Sequence, residues 1–506
     1  MAGRRNSSHG NIRPSRHRRA RRHVARACAI LAVVTTCLAP HASAARPITS
    51  LTWSPTELSF GSLAVGATDQ KSILLTNTGT KTIRKPGISV IGVDFFVGAE
   101  NCSTSVLRSG DSCTVTIVFA PSAGGAAIGA VSTVAAKTTI AASLLGSATT
   151  TATATSVTVG RGHACAVTTT GALVCWGDNL YGQLGDNSVD DRRAPVGVSG
   201  LATGIAAAAA GEYHTCALTT TGGVKCWGRN NLNQLGNSTG TDSSVPVDVP
   251  GLGSGVTALA AGDSHTCAVK ADGTITCWGN NSIGQLGNSV IGGTSGPVQV
   301  ANIAAGATAV AAGRAHTCAI VSSGVKCWGD NFRDQLGLPA AGTYSTEPVD
   351  VTGLSSGVTS ITAGVFTSCA VLSAAAVCWG YSTLYEMGDG STDSNTTPGP
   401  VTGLSAGVAL VFAGDNHGCA VTSAGALSCW GYAGYGQIGN GSVSDQPTPV
   451  AVTGLGSGVL SGDAGTFSTC AVLADAVKCW GSNDSGLLGS GTFDPASSTP
   501  VDVVGF

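Results

Sequence analysis

Fourteen cysteines form seven pairs whose types and spacing suit either disulfide formation or metal binding. The second cysteine of each pair opens the tripeptide Cys-Trp-Gly, and eight or nine residues separate it from the first. Zinc ligands usually stand about two to four residues apart, whereas this spacing brings two cysteines opposite each other across a β-hairpin. We therefore predict disulfides, with metal binding as the alternative, for Cys165–Cys175, Cys216–Cys226, Cys267–Cys277, Cys318–Cys327, Cys369–Cys378, Cys419–Cys429 and Cys470–Cys479. Before the repeats, Cys102 and Cys113 are expected to pair as well.

Five histidines share one position, two residues before the first cysteine of a pair: His163, His214, His265, His316 and His417. A ring of histidines could supply metal ligands or general bases. Thr367 and Ser468 stand at the same position in the other two units. Because hydroxyl groups can partly replace imidazole as hydrogen-bonding groups, we interpret this position as part of the structural framework.

The tryptophan of each Cys-Trp-Gly tripeptide points to the opposite sheet face from the cysteine before it. We predict that these indoles pack between neighbouring units, and a ring of exposed, sugar-binding or light-absorbing indoles is the alternative. They are Trp176, Trp227, Trp278, Trp328, Trp379, Trp430 and Trp480.

The elements that position these residues repeat every 50 or 51 residues. In one unit, His265 to Val269 and Thr274 to Trp278 alternate as two strands of a hairpin, and Val256 to Ala261 and Pro297 to Val300 give two more. Four short strands per unit are typical of a propeller blade. The sequence thus predicts an all-β protein with a seven-bladed β-propeller over 157–506, in which Pro500 to Phe506 could complete the first blade.

The residues before the repeats form other predicted segments. Nine arginines precede residue 27, an apolar run follows, and Ala42-Ser43-Ala44 has the form of a cleavage site, so 1–44 reads as a signal peptide. A basic tail that binds nucleic acid is the alternative.

Alternating strands over 51–146 predict an immunoglobulin-like β-sandwich that spaces or anchors the propeller, and the Thr/Ala-rich stretch 147–156 is a predicted linker.

Charge narrows the classes of partner. Cleavage after Ala44 removes nine of 26 basic residues and leaves 17 against 28 acidic ones, a net charge near −11. Such a chain is a poor ligand for nucleic acid or anionic membranes. Because disulfides persist in oxidising surroundings, we expect a protein that is secreted or held at the cell surface. We also expect no membrane insertion after signal cleavage.

The repeat resembles that of the regulator of chromosome condensation family. The resemblance rests on Gly262-Asp-Ser-His-Thr-Cys-Ala-Val269, Cys277-Trp-Gly-Asn-Asn-Ser-Ile-Gly-Gln-Leu-Gly287 and Pro297-Val298, recurring seven times. It implies a seven-bladed propeller. The family's eukaryotic namesake is a nucleotide-exchange factor for a nuclear GTPase, whereas secreted bacterial members include an inhibitor of β-lactamases. Residues 51–146 resemble the ASPM–SPD-2–hydin type of domain, through motifs such as Leu58-Ser-Phe-Gly61 and Val118-Phe-Ala-Pro121.

The sequence has no P-loop and no His-Glu-x-x-His, and it has no sustained helical periodicity of the kind that a nucleophile elbow requires after its serine. We therefore expect no catalytic residues, no metal and no cofactor. Acidic residues such as Glu212 and Asp263 form no paired constellation at a fixed repeat position and are expected to be solvated or turn residues.

Recognition is expected in the segments that vary between repeats, because loops on a rigid scaffold commonly bind partners. These are 186–194, 237–245, 288–296, 338–347, 389–399, 440–448 and 490–499. The candidate binding residues are Asp190, Arg192, Arg193, Tyr344 and Phe493, since arginine and aromatic residues often dominate interfaces. The sequence thus predicts a non-enzymatic propeller whose partner is another protein, with a polysaccharide possible. Inhibition of a secreted enzyme is the first alternative, and nucleotide exchange is disfavoured by the signal peptide and disulfides.

Overall fold

The computed structural model describes residues 49–64, 68–121, 125–135, 138–149, 153–339, 342–492 and 494–506. The predicted signal peptide and Phe493 lie outside these residues. The described chain is all-β apart from a short 3₁₀ helix, Asp484–Gly486.

Residues 51–149 form two four-stranded sheets that share one core. The first sheet has the order β1-β3-β8-β6 and the second the order β2-β10-β9-β5, in which β2 and β10 run parallel. Phe60 of the second sheet packs against Phe95 and Phe119 of the first. The strands are β1 Leu51–Ser54, β2 Glu57–Ala64, β3 Asp69–Asn77, β4 Ile83–Arg84, β5 Ser89–Ile91, β6 Phe95–Glu100, β7 Val106–Leu107, β8 Ser112–Phe119, β9 Gly125–Ala135 and β10 Thr138–Thr149, with β4 and β7 paired separately.

Seven four-stranded antiparallel sheets follow, each built from four consecutive strands. We number them sheets 1 to 7. Sheet 1 contains β11 Ala154–Val159, β12 His163–Thr168, β13 Leu173–Gly177 and β14 Arg192–Gly197; sheet 2 contains β15 Ile205–Ala210, β16 His214–Thr219, β17 Val224–Gly228 and β18 Ser243–Asp248; sheet 3 contains β19 Val256–Ala261, β20 His265–Lys270, β21 Ile275–Asn280 and β22 Thr294–Gln299; sheet 4 contains β23 Ala307–Ala312, β24 His316–Val321, β25 Gly324–Asp330 and β26 Tyr344–Asp350.

The last three sheets keep the same order. Sheet 5 contains β27 Val358–Ala363, β28 Thr367–Leu372, β29 Ala375–Gly380 and β30 Asn395–Pro400; sheet 6 contains β31 Val408–Ala413, β32 His417–Thr422, β33 Leu427–Gly431 and β34 Gln446–Ala451; sheet 7 contains β35 Val459–Ala464, β36 Ser468–Leu473, β37 Val477–Ser482 and β38 Ala496–Asp502. Each sheet packs against the next, and β11 of sheet 1 packs against β35 and β36 of sheet 7, so the sheets form a closed ring.

The ends of the ring differ from the expectation in two places. β38 pairs with β37 in sheet 7, so the idea that Pro500 to Phe506 complete the first sheet is wrong. The physical reason is that β11 already supplies the innermost strand of sheet 1. In addition, β10 runs to Thr149 and β11 begins at Ala154, so strand residues occupy both ends of the predicted linker 147–156.

The cysteine pairs join the second and third strands of every sheet in the ring. Cys267 and Cys277, for example, are directly opposed in the β20–β21 register, with 4.1 Å between their Cα atoms and 2.13 Å between their sulfurs. The other six ring pairs have the same arrangement, and Cys102 and Cys113 of the two-sheet unit lie 2.01 Å apart at sulfur.

The seven tryptophans are fully buried between neighbouring sheets, so they are not exposed indoles. The indole N–H of Trp227, for instance, donates a hydrogen bond of 2.8 Å to the carbonyl of Gln183 in the preceding sheet. Trp176 makes the equivalent bond across the ring closure, to the carbonyl of Leu487 at 2.7 Å. Burial of an indole can contribute roughly 4–6 kcal/mol as an upper bound, so these contacts hold the ring together.

The histidines form a second set of contacts between sheets. The Nε2 atom of His265 lies 2.8 Å from the Oγ1 atom of Thr317 in the next sheet, and four further histidines repeat this contact. Because the Thr317 hydroxyl donates its proton to the carbonyl of Gln285, it must accept one from His265 Nε2. Burial lowers the pKa of each imidazole to about 3 or 4. The framework interpretation of these histidines is therefore confirmed.

Candidate functional site

One face of the ring gathers two kinds of loop from every sheet. In a sheet of four consecutive antiparallel strands, the turn between strands 1 and 2 and the loop between strands 3 and 4 lie at the same end. These connections are 160–162 and 178–191 in sheet 1 and their equivalents in the other sheets. We call this end the channel face. The predicted variable segments belong to the longer of the two loops, so they lie at this face too.

A central cavity of about 300 Å³ opens at the channel face. The innermost strands line it mainly with small side chains, among them Ala208, Ala260, Ala312 and Ala363. Small residues at the inner strands leave room along the axis of the ring, and the mouth of the cavity is then set by the residues that end these strands.

A ring of mostly charged residues surrounds that mouth. Each sheet contributes the residue four positions before its first cysteine: Arg161, Glu212, Asp263, Arg314, Val365, Asp415 and Thr466, in sheet order. We call this set the mouth ring. The expectation that Glu212 and Asp263 form no constellation at a fixed repeat position is thus wrong. Aligning the repeats on their first cysteine would reveal this shared position. Because the residue type there changes from unit to unit, each acid considered singly resembles a turn residue.

Neighbouring members of the mouth ring pair with one another. Arg161 forms an ion pair with Glu212, and Arg314 Nε lies 3.8 Å from Asp263 Oδ2. The Thr466 side chain acts on Asp415 in the direction that lowers the pKa of the carboxyl. Three acids against two arginines leave an excess of negative charge. Burial, followed by the charges of Asp415 and Glu212, raises the pKa of Asp263 to about 7, and burial also raises the pKa of Asp415.

Around the mouth ring, aromatic side chains form three clusters at joints between sheets, and arginines take part in two of them. At the joint of sheets 1 and 2, Arg229 lies 4.8 Å from the ring centroid of Tyr181 and 5.6 Å from that of Tyr213. These distances are within the range of cation–π attraction. The joint therefore presents a preassembled aromatic and cationic surface.

The second cluster lies at the joint of sheets 4 and 5. Arg333 lies 4.2 Å from the ring centroid of Tyr381, and Arg314 lies 5.5 Å from that of Phe366. A groove of about 410 Å³ runs beside it, lined by Phe332 and Tyr344 among others. Phe332 is 67% exposed and Tyr344 46% exposed, so large aromatic surface is available to a partner.

The third cluster, at the joint of sheets 6 and 7, is aromatic only. The ring centroids of Tyr435 and Phe467 are 4.6 Å apart, and Tyr432 lies 6.3 Å from each of them. Sequence reasoning missed all three clusters, although it selected Tyr344, which lines the groove beside the second. The members of one cluster come from different repeats, and their identities vary from joint to joint.

The candidate residues from the variable segments have different surroundings. Tyr344 lies in the groove just described. Arg192 is engaged within its own loop, where its Nη2 atom lies 2.7 Å from Asp186 Oδ2. Asp190 is exposed, and its carbonyl accepts a hydrogen bond from Asn179 Nδ2 at 3.1 Å. Arg193 is exposed, and its carbonyl accepts the N–H of Gly491 at 2.9 Å. Of the four candidates that the structure describes, only Tyr344 lies beside an aromatic cluster.

Within the part of the chain that the structure describes, no group of three or more histidine, cysteine or acidic residues is arranged to hold a metal ion. No helix in the same residue ranges has both the length and the apolar character that a membrane span requires.

Sequence comparison places the ring among known proteins. Residues 125–471 match the family model described as RCC1-like domain. The ultraviolet-B receptor UVR8 of Arabidopsis thaliana is 32% identical over 349 residues, which cover 66% of this chain and 78% of that receptor. The probable E3 ubiquitin-protein ligase HERC3 of Homo sapiens is 35% identical over 187 residues, but the match covers only 18% of its length.

Solved structures agree on the fold. Yeast RCC1 (Prp20), in its complex with Kap60, superposes with a TM-score of 0.58 at 22% identity, covering 65% of this chain and 83% of that one. Human WBSCR16 gives the same TM-score and identity, covering 64% of this chain and 87% of its own. The chain therefore belongs to the RCC1-like domain family, and its ring of sheets is an RCC1-like propeller.

Proposed function

We propose that this chain is an exported, non-enzymatic protein that binds another protein through the channel face of its propeller. The observation that carries the proposal is the clustering of tyrosine and phenylalanine rings at this face, joined by arginines in two of the three clusters. Tyrosine and arginine are enriched among the residues that contribute most to protein–protein affinity. Rings already stacked against guanidinium groups lose little side-chain entropy on binding, so these clusters suit a docking surface.

We interpret the seven sheets as the blades of a seven-bladed propeller and the two-sheet unit 51–146 as an immunoglobulin-like domain that spaces or attaches it. Export is supported by the basic and apolar N-terminal segment and by eight pairs of cysteines at bonding distance. Disulfides persist in oxidising compartments and are rare in the cytosol. Location at the cell surface or in the medium follows from the same argument.

Export has a direct test. The full chain is produced in a host with a secretory pathway, and its location, N-terminus and free thiols are determined. We expect a mature protein that begins after Ala44, in the medium or envelope, whose sixteen remaining cysteines resist alkylation until a reductant is added. An uncleaved cytosolic protein with free thiols would contradict export.

Partner binding is tested by affinity capture with the mature protein from its native surroundings, followed by binding measurements with the purified partner. The paired changes Tyr213→Ala with Arg229→Ala, and Phe332→Ala with Tyr344→Ala, should each weaken binding at least tenfold. Leu460→Ala is the matched control, since Leu460 is exposed near the start of β35, at the opposite face. Equal affinity for all variants would overturn the assignment to the channel face. Turnover of a substrate with no captured partner would overturn the non-enzymatic function.

A second candidate function is inhibition of a secreted enzyme. The groove beside Phe332 and Tyr344 favours it, because a concave aromatic site can accept a protruding segment of a partner. Direct inhibition assays against β-lactamases and proteases separate this function from general binding.

Two further functions are less favoured. The solved structure of Prp20p from Saccharomyces cerevisiae is reported together with its binding to Gsp1p and histones, but the excess of acidic residues after signal cleavage opposes a chromatin partner here. Polysaccharide binding through the aromatic rings is tested on a glycan array, where an absence of signal would count against it.

A further inference from the structure

Three positions recur at every aromatic joint of the channel face. The first is two residues before a buried glutamine in the loop between strands 3 and 4 of one sheet; these glutamines are Gln183, Gln335 and Gln437. The second is three residues before the first cysteine of the next sheet, and the third directly follows the Cys-Trp-Gly of that next sheet. At the joint of sheets 1 and 2 they hold Tyr181, Tyr213 and Arg229; at sheets 4 and 5, Arg333, Phe366 and Tyr381; at sheets 6 and 7, Tyr435, Phe467 and Ser482.

Each of the first two joints has two guanidinium groups of its own against its aromatic rings. Arg229 and Arg333 lie over Tyr181 and Tyr381, respectively. From the mouth ring, Arg161 lies 5.8 Å from the ring centroid of Tyr213, and Arg314 lies over Phe366 in the same way. In both joints the cation–π capacity of the rings is therefore used within the chain.

The third joint keeps the aromatic rings but has lost both arginine positions. The mouth-ring position that holds Arg161 and Arg314 in the other joints holds Asp415, and Ser482 replaces Arg229. Among the described residues, no cation lies over Tyr432, Tyr435 or Phe467. Tyr435 is 41% exposed. We call this site, made of Asp415, Tyr432, Tyr435 and Phe467, the open joint.

Asp415 gives the open joint a charge that matches a cation. Its neighbour in the mouth ring is Thr466, the residue before Phe467, and Asp415 forms no ion pair within the described ranges. An aromatic face beside a carboxylate attracts a cation through both the ring quadrupole and the charge. Among the other charges of the mouth ring, Glu212 adds to the negative potential at Asp415, whereas Arg161 and Arg314 oppose it.

We infer that the open joint binds an arginine side chain of the partner protein, which supplies from outside the guanidinium that the other two joints supply themselves. This inference rests on the proposed function and specifies the chemistry of the partner. Arginine is favoured over lysine because a flat guanidinium stacks on aromatic rings, and because arginine is the residue at both occupied joints.

The test uses the mature chain and a blocked tripeptide with a central arginine, followed by saturation-transfer NMR and titration. The control peptide carries citrulline, which has nearly the same shape without the charge. We expect the arginine peptide to bind at least tenfold more tightly than the citrulline peptide. No preference between the two peptides, or preferential binding of methyl glycosides, would overturn the inference.

Variants locate the binding. Tyr435→Ala and Asp415→Asn should each weaken binding of the arginine peptide at least fivefold. Tyr181→Ala, at an occupied joint, is the matched control and should leave the affinity for this peptide unchanged. Ser482→Arg and Asp415→Arg should both block the peptide by restoring a guanidinium within the chain. Asp415→Arg is the safer of the two because Ser482 is buried, and thermal melting verifies that each variant folds.

The outcomes of this test and of partner capture are separable. If the peptide fails to distinguish arginine from citrulline while the Tyr213/Arg229 variant still weakens the captured partner, the inference fails and the proposed function stands. If blocking the open joint with Asp415→Arg leaves peptide affinity unchanged, the inference also fails.

Discussion

The carboxylate of Asp463 accepts the backbone N–H of Val159 at 2.8 Å and thereby joins the last sheet of the ring to the first. The hydroxyl of Thr158 also donates to this carboxylate, at 3.1 Å, and in turn accepts the N–H of Ala210 in sheet 2. The same strand position holds Ala209, Ala260 and Ala311 in sheets 2 to 4. Polar side chains thus bridge inner strands where the ring closes.

The first prediction concerns this closure. Asp463→Ala should lower the free energy of unfolding by about 1–3 kcal/mol, because Val159 N–H and the Thr158 hydroxyl both lose their acceptor. Alanine fits the position, as three other sheets show, so a cavity is not the cause. Limited proteolysis should cut the variant first near the joint of sheets 7 and 1, as mapped by mass spectrometry.

Two control variants separate the hydrogen bonds from other effects. Asp463→Asn keeps an acceptor oxygen and should unfold close to the wild type. Thr362→Ala removes a single bond, from the N–H of Ala413 at 3.3 Å, within the ring rather than at its closure. Equal cleavage patterns for Asp463→Ala and Thr362→Ala would contradict a special role of Asp463 in closing the ring.

The second prediction concerns acid. Burial holds the pKa of His163, His265 and His417 near 4 and that of His214 and His316 near 3, whereas an unfolded chain has histidine pKa values near 6.5. As the pH falls, protons therefore bind the histidines of the unfolded chain before those of the folded protein. Stability is fully present above about pH 6.5 and is lost as the pH falls toward 4, at up to about 1.4 kcal/mol per pH unit for each histidine.

A substitution drawn from the chain itself checks this pH dependence. His265→Thr places at sheet 3 the residue that sheet 5 has as Thr367. Denaturant titrations from pH 7 to pH 4 should show a slope of stability against pH that is shallower by about one proton, whatever the variant loses in stability at pH 8. An unchanged slope would mean that His265 does not remain neutral in the folded protein.

The third prediction concerns Asp263, whose contribution to stability changes with pH in the opposite direction to that of the histidines. The folded-state pKa of Asp263 is raised to about 7, so the stability associated with this carboxyl is present below about pH 4 and is lost as the pH rises through 7. Asp263→Asn should therefore be more stable than the wild type at pH 8. Because 37% of the side chain is exposed, solvent screening should limit the gain to about 1 kcal/mol.

Exposed Asp190 provides the comparison for this variant. Denaturation of Asp190→Asn should match the wild type at pH 8 and at pH 5, while the gain from Asp263→Asn should shrink as the pH falls. A pH-independent gain would assign the effect to packing rather than to charge in the mouth ring.

The fourth prediction concerns the cysteine pairs. Replacing Cys267 and Cys277 together by alanine removes a cross-link that closes a short loop, and the chain-entropy model gives a loss of about 2–3 kcal/mol. Differential scanning calorimetry in the absence and presence of a reductant measures it. The Cys102/Cys113 double variant should instead lower the melting of the two-sheet unit and leave that of the ring unchanged.

The sequence by itself determined the repeat, its four strands and the positions of the cysteines and tryptophans. These features depend on local periodicity: alternation sets the face of Cys277 and Trp278, and hairpin spacing sets the partner of Cys267. The histidine framework was also predictable, because Thr367 and Ser468 occupy the same position. Repeated local patterns can be recognised from the sequence without knowing how the units pack.

Only the tertiary structure decided the mouth ring and the aromatic joints. Arg161 and Glu212 stand 51 residues apart and meet because each innermost strand ends at the same channel. Their residue types vary between units, so a search for repeated residues passes over them. Arg192, chosen for its type alone, binds Asp186 in its own loop. Chemistry at this face arises from differences between repeats that closure of the ring brings together.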